Sequence, residues 1–133
     1  MGKKQEAMVR SLFASFEGSE VDLDVAMQCF ASHAAYSPLP WQEPFVGQLA
    51  IETELMRQAQ IRSDLEIEIV TMISKDRVAF AERLEQMTVA SQRLTVHSVG
   101  AFEFDRDARI VKWRDYTDTS EHPRWLEGES GCR

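Results

Sequence analysis

Residues 65–73 read LEIEIVTMI, in which Leu65, Ile67, Ile69, Thr71 and Ile73 alternate with Glu66 and Glu68. A period of two sends one set of side chains to a core and the other to water, so this is a half-buried strand. Upstream the period is different. Met8, Leu12 and Phe16, with Val9 and Phe13 beside them, recur at helical spacing within residues 3–17, and Gly18 ends that helix. Asp22 or Ser19 can cap a second helix through VDLDVAMQCFA, whose buried side is Val25, Met27, Cys29 and Phe30. HAAYSPLPWQEPF, residues 33–45, carries three prolines in seven residues and reads as a short strand and a turning loop. A third helix then runs from Gly47 to about Arg62 on Leu49, Ile51, Leu55, Met56 and Ala59.

After residue 73 the strand-like runs continue at 77–89, 93–105 and 109–117, and short connections favour antiparallel neighbours. Trp125 and Leu126, after His122 and Pro123, suggest a short closing helix. Helices first and a meander afterwards predict one α+β domain over residues 1–133, ordered from about 4 to 127, with helices on one face of a curved sheet and a tail at 128–133.

Bulk properties narrow the function classes. At 133 residues, 44% hydrophobic and 28% charged, the chain has the composition of a folded soluble protein with one core. A formal charge of -7 argues against a nucleic-acid or anionic-membrane partner, both of which need a basic face. No apolar run reaches membrane-spanning length, and MGKKQEAMVR is too polar for a signal peptide. Glu6 occupies the position where a myristoylation signal wants Ser or Thr. Cys29 and Cys132 read as free thiols in a reducing compartment, so a cytoplasmic location is expected. His33, His97 and His122 share no ligand spacing with acids or cysteines, and no metal is expected.

The charges of the meander hold the chemistry. If Ser91 and Gln92 form a two-residue turn, Glu85 pairs with Ser98 and Arg83 with Gly100. If Arg106 and Asp107 form the next, Ser98 pairs with Asp115 and Gly100 with Trp113. Neither turn has the favoured Gly or Asn. Glu85, Ser98 and Asp115 then make one row, on the same face as Ala79, Ala81, Met87, Val89, Val96, Phe102, Phe104, Val111 and Trp113. Arg83 could bond both acids across Gly100. Two carboxylates and an arginine in an apolar concavity form an acid–base site, because neighbouring acids push their pKa values apart. The alternative is a solvated cross-strand ladder, since a slip of one residue turns the whole set outward. His97 falls on the face opposite Glu85 in this register.

AERLEQM (81–87), LTVHSVGAFEF (94–104) and IVKWRDYTD (110–118), with AAYSPLP (34–40) upstream, resemble the limonene-1,2-epoxide hydrolase family over about residues 25–126. The resemblance implies a cone-shaped α+β fold with a curved antiparallel or mixed sheet and N-terminal helices on its concave face. That is the fold of nuclear transport factor 2 and the SnoaL-like polyketide cyclases, usually as a homodimer. It also implies one-step hydrolysis of a small or medium lipophilic epoxide to a vicinal diol, without metal or cofactor. Carried over, Asp115 is the general base that takes a proton from water, Glu85 the general acid, Arg83 the bridge between them, and Tyr36 a holder of the water. Met87, Val96, Ser98, Trp113 and Thr117 line the substrate pocket. Two positions depart from the family. Glu85 stands where the family has aspartate, and the asparagine that follows the family's tyrosine is missing. Tyr36 is followed by Ser37 and Pro38 instead, with Ser37 as a candidate substitute. A missing water holder leaves open an epoxide-opening cyclase or isomerase of the same fold, in which a substrate hydroxyl attacks. A non-catalytic small-molecule-binding protein is the third alternative.

Overall fold

The computed structural model describes residues 2–118; the expected closing helix at Trp125 and Leu126, together with Cys132 and the tail, lies outside them. Three helices, α1 (Lys3–Phe16), α2 (Leu23–Gln28) and α3 (Gln48–Ile61), accompany six strands. The strands are β1 (Phe30–Ser37), β2 (Phe45–Val46), β3 (Arg62–Lys75), β4 (Val78–Val89), β5 (Gln92–Phe104) and β6 (Ile110–Thr117). They form one mixed sheet in the order β2-β1-β6-β5-β4-β3, with β1 parallel to β6 and every other pair antiparallel. None of the described helices is long and apolar enough to cross a membrane.

The core fills the space between one sheet face and the helices. Val9, Leu12, Phe13 and Phe16 of α1 meet Ala79, Ala81 and Met87 of β4, Phe102 and Phe104 of β5 and Trp113 of β6. Trp113 is its centre, stacked on Tyr36 at 4.2 Å and on Phe102 at 5.5 Å, with Phe13 against its edge at 5.9 Å. Asp22 caps α2 by accepting from the Val25 backbone N–H at 3.2 Å. That helix is shorter than its apolar pattern suggests. It stops at Gln28, and Phe30 begins β1, where its ring stacks on Trp113 at 6.2 Å.

Three expectations about faces are corrected. Past Ile69 the alternation of LEIEIVTMI fails, because Ile69 pairs with Arg83 while Thr71 pairs with Glu82, leaving Val70 as an extra residue. Such a bulge reverses the faces beyond it. Met72 therefore packs against the core while Ile73 is 64% exposed. On α3, Leu49 and Met56 are exposed, and the buried set is Ile51, Glu54, Leu55 and Gln58. This set keeps helical spacing but includes two polar side chains that find hydrogen-bond partners inside. Val111, expected inward, is only half-buried, and Ile110 is buried instead, because a register shift between Glu103 and Phe104 moves the start of β6.

Candidate functional site

The β4–β5 turn is Ala90-Ser91, both with positive φ (50° and 67°), so Val89 pairs with Gln92 and Arg83 with Ser98. The β5–β6 connection is the loop 105–109, where the Asp105 carboxylate accepts from the backbone N–H groups of Asp107 and Arg109. Gly100 consequently pairs with Asp115, Phe102 with Trp113 and Ser98 with Thr117. Both registers differ by two residues from those expected, and the row Glu85–Ser98–Asp115 does not exist. A shift of two preserves the face. Glu85, Arg83, Ser98 and Asp115 are all buried, and His97 is exposed on the other side.

Glu85 pairs with Val96 and Asp115 with Gly100, so four residues of β5, roughly 13 Å of strand, separate their backbones along its axis. Arg83 spans the gap. Its Nε donates to Glu85 Oε2, its NH1 to Asp115 Oδ1 at 3.1 Å and its NH2 to Asp115 Oδ2 at 2.7 Å. Trp113 Nε1 adds a bond to Asp115 Oδ1 at 2.7 Å. The far side of the guanidinium lies 4.5 Å from the centre of the Phe13 ring, a cation–π contact. Ser98 does not join the acids; its hydroxyl pairs with that of Thr117 at 2.9 Å.

Charges this deep are costly unless paired. Burial pushes both acids toward higher pKa. For Glu85 two guanidiniums outweigh that, because Arg62 NH1 also donates to its Oε1 at 3.2 Å, and its pKa falls below the usual value. For Asp115 burial wins over Arg83, with Glu85 adding repulsion, and its pKa rises. Burial, then the nearby Asp115 charge, raises the Tyr36 hydroxyl, which stays protonated.

Arg62 and α3 carry the polar groups that sequence reasoning missed. Gln58 Nε2 donates to the Tyr36 hydroxyl at 3.1 Å and to Glu54 Oε2 at 2.9 Å. Arg57 holds both oxygens of that carboxylate, at 2.8 and 2.9 Å. The spacing of Glu54 to Arg57 and Gln58 was a legible local signal for side-chain pairing, but not for its direction. Ser37, adjacent to Tyr36 on a strand, alternates away from it and is not among the pocket's lining residues.

Tyr36, Gln58, Arg62, Arg83, Glu85 and Asp115 line one pocket, whose wall also includes Phe16, Pro38, Met87, Val96, Ser98, Trp113 and Thr117. Its open space is about 20 Å³, which suffices for about one water. A second cavity of about 260 Å³, lined by Val21, Leu23, Met56 and Leu65 among others, shares Phe16 and Arg62 with it. Among the described residues no three His, Cys, Asp or Glu side chains are grouped to hold a metal ion.

Gly100 keeps this packing possible. A Cβ there would lie 2.7 Å from the Phe102 ring and 3.2 Å from Asp115 Oδ1. Because the ring is buried, Gly100→Ala is expected to cost about 1–3 kcal/mol as an overpacked core. Urea denaturation measures this; an unchanged midpoint would show that the ring yields freely.

The family model of the limonene-1,2-epoxide hydrolase catalytic domain matches residues 4–122. No curated protein sequence matches the chain. Among solved structures, an epoxide hydrolase of M. tuberculosis described as like limonene-1,2-epoxide hydrolase is similar at TM-score 0.76 and 21% identity, covering 90% of this chain and 86% of that one. A putative SnoaL-like polyketide cyclase from Shewanella denitrificans is similar at TM-score 0.78 and 11% identity, covering 94% and 98%. SalBIII, an epoxide hydrolase/cyclase-like enzyme of pyran ring formation in the polyether salinomycin, is similar at TM-score 0.76 and 15% identity, covering 90% and 94%. At these identities the structures establish the shared fold. The family model, which spans nearly all of the described residues, establishes that the chain belongs to the limonene-1,2-epoxide hydrolase family.

Proposed function

We propose that this protein is an epoxide hydrolase adding water in one step to a small or medium lipophilic epoxide. The observation that carries the reading is the pair of buried carboxylates bridged by Arg83 beside a space the size of one water. Epoxide opening needs a nucleophile activated at one end and a proton delivered at the other. Asp115 takes a proton from water, and the oxygen bonds to one epoxide carbon as the C–O bond breaks. Glu85 gives its proton to the departing oxygen. The pair's proton count is unchanged, and a proton passing from Asp115 to Glu85 resets the site. Arg83 cannot lose its own proton and serves to orient both acids and balance their charge.

This order requires the proton to begin on Glu85, whereas the two guanidiniums around that acid favour its ionised form. Arg62 resolves the conflict. It holds Glu85 through the longest ion-pair bond of the site and stands on the wall between the small pocket and the larger cavity. A substrate too large for the pocket reaches the acids by moving that wall. With Arg62 displaced, Asp115 still accepts two bonds from Arg83 and one from Trp113, and it becomes the better-stabilised anion.

Incubating a panel of cyclic and aliphatic epoxides in isotopically labelled water is expected to give diols carrying one label. If no epoxide in the panel turns over, the reading is wrong. The missing asparagine favours a second reading, an epoxide-opening cyclase, which would convert hydroxy-epoxides to unlabelled cyclic ethers.

A further inference from the structure

We propose that Gln58, reaching in from α3, holds the attacking water and does the work of the asparagine that this chain lacks after Tyr36. The inference rests on the hydrolase reading.

The geometry fixes the amide's orientation. Glu54, with both oxygens on Arg57, can only accept, so the Gln58 atom facing it must be the nitrogen. Nε2 has two hydrogens, and Glu54 and the Tyr36 hydroxyl take one each. The amide's acceptor, Oε1, is then left to receive a hydrogen bond within the pocket that Gln58 lines with Asp115. Tyr36 is ordered by the same contact. Its oxygen accepts from Gln58, so its single hydrogen is left to point elsewhere, toward the pocket it also lines.

A water in this space would donate one hydrogen to Asp115, the one to be removed, and the other to Gln58 Oε1. Its lone pair is then left for the epoxide carbon. Such orientation of a nucleophile needs a rigid holder. Gln58 is 3% exposed on a helix, and the Glu54–Arg57 pair locks its amide plane. In the family the asparagine follows shortly after the tyrosine on the same segment; here the amide comes from a separate element, α3. This explains how a chain without that asparagine keeps a polar cradle for water.

The test joins a high-resolution crystal structure of the wild type with kinetics of Gln58→Met, which keeps the side chain's length and removes its polarity. The wild-type crystal is expected to show one ordered water bonded to both Gln58 Oε1 and Asp115. Gln58→Met is expected to lose about 100-fold in kcat with little change in KM or in Tm. A structural role alone would move Tm first. If the wild type hydrolyses epoxides and Gln58→Met keeps kcat within about threefold, the assignment to Gln58 falls while the hydrolase reading stands. If the wild type hydrolyses none, that reading falls and the assignment of Gln58 falls with it. The same crystal decides if the variant fails to fold: a water absent, or bound away from Oε1, overturns the inference.

Discussion

Asp115→Asn is expected to lower kcat by about 10³-fold, within the range found when a general acid or base is lost. Asparagine keeps the shape, and its Oδ1 can still accept from Arg83 NH1 and Trp113 Nε1, now 3.1 and 2.7 Å from the carboxylate, while the bond from Arg83 NH2 to the other oxygen is lost. What it cannot do is take a proton from water. The fold should survive, so circular dichroism and Tm serve as controls, and a variant that keeps the full rate would remove Asp115 from the mechanism. The wild-type pH profile carries the same signature. Burial raises Asp115 and two guanidiniums lower Glu85, so the productive arrangement, Asp115 ionised and Glu85 protonated, is a minority form of the free enzyme. kcat/KM should therefore follow a bell whose two limbs belong to the coupled pair rather than to either residue alone. Its acid limb should lie below the ordinary carboxylate range and its alkaline limb above it, because the lower step of the pair follows the lowered Glu85 and the higher step the raised Asp115.

The site could be recognised in the sequence although its register could not be fixed there. Alternation alone put Arg83, Glu85 and Asp115 on one face, and that survived because both hairpins slipped by an even number of residues. The hairpin was misplaced for a physical reason: Ala90 and Ser91 both adopt positive φ without being Gly or Asn, so the usual turn signal was absent. The next connection is a five-residue loop pinned by Asp105, and its side-chain bonds to Asp107 and Arg109 have no strong local signature. An odd slip at either place would have turned the acids outward.

On α3 the sequence shows side-chain pairing at Glu54, Arg57 and Gln58 but not that this face lines the pocket. A hydrophobic pattern search selects Leu49 and Met56, yet these face solvent, and the helix buries Glu54 and Gln58. Polar residues go inside when partners are waiting, and the partners here, Arg57 and Tyr36, lie on the same helix and on a strand 22 residues earlier. In the sequence Arg62 reads only as a helix end. Its role depends on β3 pairing with β4, which brings the first residue of one strand near Glu85 of the other. Val70 is a similar case: its bulge reverses a strand whose alternation looked unbroken.

Removal of the bridge should produce the largest loss of stability. Arg83→Met keeps most of the side chain's volume and its contact with Phe13, but leaves two buried carboxylates with fewer donors. Breaking a buried ion pair from one side costs about 3–5 kcal/mol, well above the effect expected for Gly100→Ala. The sign of the pH dependence separates lost charge from lost packing. In the wild type Glu85 is held low, so its contribution is present above the unfolded-state value of about 4.3 and drains away as pH falls through the folded value. Asp115 is held high, so it runs the other way: the folded state takes up its proton first, and stability rises as pH falls through the folded value. Without Arg83, burial dominates Asp115 more strongly, and Glu85 retains Arg62 as its remaining guanidinium. The variant's folded state then binds protons ahead of its unfolded state, so lowering the pH should recover part of the loss. Urea unfolding of both proteins at pH 7 and pH 5 measures this. The gap between them should narrow at pH 5; an equal gap at both values would mean that Arg83 stabilises the fold by packing rather than by neutralising two buried acids.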